Sequence, residues 1–248
     1  ARLMLRWQRP TPATSFQLLR ADPPLVFVFV AILMAWMAGF GALVVMNPIA
    51  VMLYGWSQMA ALLPGFSYVV VNVAMLALQE RMKDRIPLYP SLRASYIVYI
   101  LGMLTLTLFA PFHPAAAFIA FGMLGGAVAF LMPAAATVVS LGLKKDEQAK
   151  GQALGTVAAL SGVGLGVGLY TGVLYDSSAT GMRAGIPFFL SSLLACGVAL
   201  LFEGFLIARK RNPLTGTGEI NPEGEDSTSE ALLSPLGEPT GEELTPIV

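Results

Sequence analysis

Charge is what this sequence has least of. Asp, Glu, Lys and Arg make up 12% of its 248 residues, against about 25% in a water-soluble domain. With so little charge, much of the surface must face something other than water. There is one histidine, His113, and one cysteine, Cys196. Those counts exclude an internal disulfide framework, a cysteine-ligated metal cluster and a histidine-rich metal site. No metal site and no cofactor are expected. The formal net charge is zero, so no global positive field draws the chain to nucleic acid. Period-two alternation is also missing, which leaves a transmembrane β-barrel unsupported.

What is present is apolar: 56% hydrophobic residues and a mean hydropathy of +0.70. A bilayer core of roughly 30 Å takes about 20 apolar residues per helix. Six stretches qualify, at residues 24–46, 59–78, 94–110, 114–143, 153–175 and 186–208. The expected fold is all-α and polytopic, a six-helix transmembrane bundle over residues 24–208.

The cations orient it. Arg2, Arg6, Arg9 and Arg20 precede the first span, and Arg81, Lys83, Arg85 and Arg93 lie between or beside the second and third. Lys144, Lys145 and Lys150 lie between the fourth and fifth, and Arg209, Lys210 and Arg211 end the sixth. Only Arg183 falls on the opposite face. The positive-inside rule then places both termini in the cytoplasm. Residues 1–23 read as a basic cytoplasmic linker without a signal peptide's apolar core and cleavage site. The missing initiator Met fits a trimmed or partial chain. Residues 209–248 read as a disordered acidic tail. Past Arg211 there is no cation, only Glu219, Glu223, Glu225, Asp226, Glu230, Glu238, Glu242 and Glu243 among prolines and glycines.

The fifth span is rich in glycine at four-residue spacing, which lets helices approach backbone to backbone. Gly151, Gly155, Gly162 and Gly166 share one face; Ser161, Gly164, Gly168 and Gly172 share another. Two small faces predict a helix wedged between two partners. A dinucleotide loop fails, because Val167 stands at the last glycine of G-x-G-x-x-G and no strand precedes it. In the second span, Gly65, Tyr68, Asn72 and Gln79 form one stripe. An amide in an apolar run should face a helix or a wet cavity. Asn72 therefore reads either as an interhelical hydrogen bond or as a substrate contact.

Glu203 is the only acid well inside a span. It is expected to snorkel towards the cytoplasmic cations near Arg209. His113 reads as an external turn residue and Cys196 as packing. An intramembrane enzyme lacks the titratable pair that acid–base chemistry needs.

Glu80-Arg-Met-Lys-Asp-Arg-Ile-Pro87 resembles the G-x-x-x-D-R-x-G loop of the major facilitator superfamily, with Asp84 and Arg85 matching and Glu80 and Pro87 replacing glycines. Met132-Pro-Ala-Ala-Ala-Thr-Val-Val-Ser140, Lys144-Lys-Asp-Glu-Gln-Ala-Lys-Gly-Gln-Ala-Leu-Gly155 and Thr171-Gly-Val-Leu-Tyr-Asp176 look like that superfamily's helices ten and eleven. The flavour is similar to the tetracycline-efflux-like and hippocampus-abundant-transcript-like branch. It departs at Gly166-Val167, where many relatives carry Gly-Pro. The resemblance covers about residues 20–211 and implies helices seven to twelve, the C-terminal half of a twelve-helix carrier.

It further implies alternating access about a central cavity, a small-molecule solute, and a missing N-terminal six-helix half or a second copy as partner. Asp84 and Arg85 become a conformational latch. Tyr68, Asn72, Thr156, Ser161 and Tyr170 become the cavity residues. Because the first span has no charge and the third to fifth no acid or base, a neutral, lipophilic or weakly polar solute is expected, with proton coupling left open. The alternative is a non-transporting scaffold or receptor on the same six helices.

Overall fold

The computed structural model describes residues 18–20, 22–82, 85, 87–141, 143 and 147–211. Six helices among them are long and apolar enough to cross a membrane, and no strand occurs among the described residues. Helix α1 is Leu25–Tyr54, α2 is Gln58–Met82 and α3 is Leu88–Leu108. Helix α4 is Pro114–Leu141, α5 is Gln148–Leu169 with a π-helical turn at Tyr170–Leu174, and α6 is Ile186–Arg211.

Prolines mark the helix starts. Pro24 and Pro87 occupy the cap positions of α1 and α3, Pro114 and Pro187 lie in the first turns of α4 and α6, and Pro64 lies in the first turn of Leu63–Met82, where α2 resumes after a break at Leu62. A first-turn residue has no intrahelical acceptor for its N–H, so the missing donor costs nothing there. Ser57 caps the opening turn of α2 by accepting the Ala60 N–H at 3.2 Å. Gly55 ends α1 at φ 65°, the only positive φ among the described residues. A residue with a Cβ would be strained in that left-handed conformation.

The first helix runs through Pro48 to Tyr54, eight residues beyond the hydropathy boundary at 46. The extra turns bury Ile49 and Ala50. The Tyr54 hydroxyl donates to the Ala110 carbonyl at the end of α3. Packing thus overrides the break that proline alone favours.

Packing follows one rule. Helix α1 packs mainly on α5 and α6, α4 mainly on α2 and α3, and α3 on α6. Exchanging α1 with α4, α2 with α5 and α3 with α6 leaves that pattern unchanged. The six helices are therefore two three-helix repeats. Helices α2 and α5 terminate the resulting chain of neighbours. Only 11% and 17% of their span residues are buried, against 44–50% in the other four.

The apolar interior forms two clusters along the bundle. One joins Leu25, Ile32, Leu92, Leu131, Leu154 and Phe202 near the end holding both described termini. The other joins Val45, Met103, Phe121, Tyr170 and Phe188 towards the opposite end. Hydroxyls and amides bridge helices where water is absent. Ser67 donates to the Phe118 carbonyl at 3.1 Å, and Thr107 and Ser192 share a hydrogen bond of 2.9 Å.

Candidate functional site

Between the two interior clusters lies a cleft of about 50 Å³. It separates α1 from α4, the first helices of the two repeats. From α1 come Trp36 and Phe40, whose rings stack at 5.2 Å and 24°. Helix α4 supplies Phe121 and Met132, α2 supplies Tyr68, and α3 supplies Tyr99. On α1, Trp36, Gly39, Phe40 and Leu43 recur at helical spacing, so one stripe faces the opening. Tyr99 crosses beneath α1 and donates to the Ala35 carbonyl at 2.7 Å. Gly39 lets it pass, since a Cβ there would stand 3.2 Å from the Tyr99 hydroxyl oxygen. Among the described residues, no acid, base or histidine lines the cleft. Its chemistry is aromatic surface with a few neutral donors.

The sequence-predicted residues divide. Tyr68 lines the cleft. Asn72, one turn further along α2, donates to the Gly125 carbonyl of α4 at 3.0 Å. The amide is therefore used between helices. The approach depends on Gly125, whose added Cβ would overlap the Tyr68 backbone. Thr156 donates to the Gln152 carbonyl at 3.1 Å, and both Thr156 and Ser161 are exposed on α5. Tyr170 is fully buried, its hydroxyl 2.6 Å from that of Ser191, which in turn bonds the Ala38 carbonyl at 3.2 Å. Gly41 makes room for the Tyr170 ring; a Cβ there would meet it at 2.5 Å. Thus Tyr68 reaches the cleft while the three residues of α5 are placed elsewhere. Of the latch pair, Asp84 lies outside the described residues. Arg85 is exposed, its N–H donating to the Met82 carbonyl at 2.9 Å.

The glycine faces of α5 differ. Gly162 and Gly166 press on the backbone of α1 at Leu33 and Met37, Gly151 meets Val139 and Leu143, and Gly155 lies near Phe29. An added Cβ at Gly164, Gly168 or Gly172 would meet nothing within 4 Å. One face is an interface within the chain, and the second has no partner among the described residues.

The ion pairs correct the reading of Glu203. Its carboxylate takes a two-pronged contact from Arg93 of α3, at 2.7 and 2.9 Å, and a hydrogen bond from the Tyr96 hydroxyl. Arg209 pairs instead with Asp22, ahead of α1, and lies 5.3 Å over the Phe205 ring. Cys196 is exposed on α6 rather than packed. In the loop after α5, the Ser178 hydroxyl and backbone N–H hold the Asp176 carboxyl below its ordinary range. His113 donates its backbone N–H to the Phe109 carbonyl at 2.9 Å and is exposed in the turn before α4.

Phe40, Tyr99, Phe121 and Gly125 carried no signal as single residues. Spacing does pick out two features in retrospect: the Trp36–Gly39–Phe40–Leu43 stripe and the glycines at 122, 125 and 126.

A scan against family models matches the Major Facilitator Superfamily over residues 5–168. No curated protein and no solved structure matches the chain. The match covers more than half of the sequence, and the six apolar helices agree with it. The chain therefore belongs to the major facilitator superfamily, whose members are integral multi-pass membrane transporters rather than enzymes.

Proposed function

We propose that this chain is one six-helix half of a secondary carrier, with the cleft between α1 and α4 forming one wall of the solute path. The C-terminal half, helices seven to twelve, is the assignment. The single observation that carries this reading is the position of the cleft. It opens between the first helices of the two three-helix repeats, midway along the bundle, where carriers of this architecture hold their solute. The sparsely buried helices α2 and α5 support it. Their free faces, including Gly164, Gly168 and Gly172, suit a second six-helix body, either an N-terminal half or another copy.

Alternating access then consists of the two halves rocking about the site. The solute is small and neutral, lipophilic or weakly polar, because a charged solute would need an opposite charge that this wall lacks. The cation-rich end faces the cytoplasm, so both termini are cytoplasmic. Arg85 lies at that end, and it forms the latch together with Asp84, its neighbour in the sequence.

Thiol accessibility tests the reading. In a Cys196→Ser background within liposomes, Tyr68→Cys should react with a water-soluble thiol reagent. Val70→Cys and Val73→Cys, at positions 50% and 60% exposed on the outer side of α2, should stay inert in lipid. Equal, negligible labelling at all three positions would turn the reading towards a scaffold.

A further inference from the structure

We infer that the cleft seats one uncharged aromatic group bearing a hydrogen-bond acceptor, and that Tyr68 reads the acceptor. This rests on the carrier reading above and assigns its class of solute. Four features of the site converge on that class.

Aromatic rings form most of its large surfaces: Trp36, Phe40, Tyr68, Tyr99 and Phe121. The stacked Trp36–Phe40 pair presents a preformed flat wall at low entropic cost. Second, the volume is small. About 50 Å³ admits a few waters or one compact group. The cleft therefore holds a single ring or ring edge, and a larger solute extends out through the open side.

Third, each polar group at the wall can donate, and the Trp36 indole N–H can only donate. The Tyr99 hydroxyl is already bonded to the Ala35 carbonyl. The Tyr68 hydroxyl and the Trp36 indole N–H have no protein partner among the described residues. A donor without a partner in an apolar cleft favours a ligand that brings an acceptor. Fourth, no cation or carboxylate lines the wall among the described residues, so an ionised ligand would lose its hydration without compensation.

The test uses the full chain in neutral-lipid nanodiscs, with Trp7→Phe and Trp56→Phe leaving Trp36 as the only indole. Four probes of similar size separate the contributions. Acetophenone has ring and acceptor, ethylbenzene the ring alone, cyclohexyl methyl ketone the acceptor alone, and benzoate a charge. Acetophenone should produce a saturable change in Trp36 emission. Ethylbenzene and the ketone should each bind about five-fold more weakly, the loss expected for one hydrogen bond or one ring contact. Benzoate should not saturate.

Tyr68→Phe should weaken acetophenone about five-fold and leave ethylbenzene unchanged, which a purely structural role would not do. Val128→Phe, which narrows the cleft from α4 without adding a second indole, should abolish saturation. Should that variant fail to give monodisperse protein, Tyr68→Phe carries the test alone. A linear response to acetophenone, as from lipid partitioning, overturns the inference. So does benzoate binding as tightly as acetophenone, or a Tyr68→Phe variant with unchanged acetophenone binding. None of these outcomes touches the thiol-accessibility result, so the solute class can fail while the carrier reading stands.

Discussion

Substituting the α5 glycines one at a time should separate its two faces. Placing alanine at Gly166 sets a Cβ 2.6 Å from the Met37 carbonyl oxygen and 3.1 Å from its Cα. Ordinary contact begins at 3.4 Å, so 3.4 less 2.6 leaves roughly 0.8 Å that must be found. At Gly162 the overlap is with the Leu33 carbonyl oxygen and is tighter still. Both obstacles are backbone, which cannot rotate aside as a side chain can. The helices must separate along their length, and overpacking of this kind costs about 1–3 kcal/mol. At Gly168 or Gly172 the new Cβ meets nothing within 4 Å, and alanine is the better helix former by roughly 0.5–1 kcal/mol.

The assay is thermal unfolding of the detergent-solubilised chain, followed by the loss of its monodisperse peak on size exclusion. Each kcal/mol corresponds to about 2–4 °C for a chain of this size. Gly162→Ala and Gly166→Ala should therefore lower the midpoint by about 2–12 °C. Gly168→Ala and Gly172→Ala should hold or raise it. The pair Gly162→Ala/Gly166→Ala should cost less than the sum of its members, since one helix separation relieves both overlaps. If Gly166→Ala unfolds no earlier than Gly168→Ala, the close approach of α5 to α1 is wrong. Repeating the series with a second six-helix body bound would show whether Gly168 and Gly172 then become intolerant.

Asn72→Leu removes the bond to the Gly125 carbonyl while keeping volume, and should destabilise by about 0.6 kcal/mol, the average for such bonds in membranes; an unchanged unfolding midpoint would argue against that bond. Breaking the Arg93–Glu203 pair with Glu203→Gln should cost about 0–1 kcal/mol, because the side chains are 56% and 33% exposed. A double-mutant cycle with Arg93→Gln measures that coupling, and a value of several kcal/mol would refute the exposed geometry. The depressed Asp176 carboxyl stabilises its loop above the ordinary carboxylate value of 3.8. That contribution is lost as pH falls through the lower folded-state value. Ser178→Ala should move the Asp176 titration upward in a carboxyl NMR experiment, and an unmoved titration would remove Ser178 as the cause.

Much of this protein was legible in one dimension. Hydropathy accumulates over about 20 residues, so six spans emerge from composition alone, and the cations between them place the loops. Prolines in first turns and Gly55 after α1 mark several boundaries, because their backbone limits are local. The superfamily's loop and helix motifs could likewise be read directly.

Partnership could not. Both glycine faces of α5 have the same spacing, yet only that of Gly162 and Gly166 meets a helix, since the choice depends on where α1 lies. Tyr170 reads as a polar cavity residue and is buried, because Gly41, far away in the chain, leaves space for its ring. Glu203 and Arg93 lie 110 positions apart, and only antiparallel packing of α6 on α3 brings their charges together. The aromatic cleft is assembled from four helices, none of which encodes a pocket by itself. Hydropathy, charge and chain geometry act over short sequence distances, and so the sequence determined the spans and their order. Which faces meet is settled by shape between distant segments, and only the tertiary structure decided it.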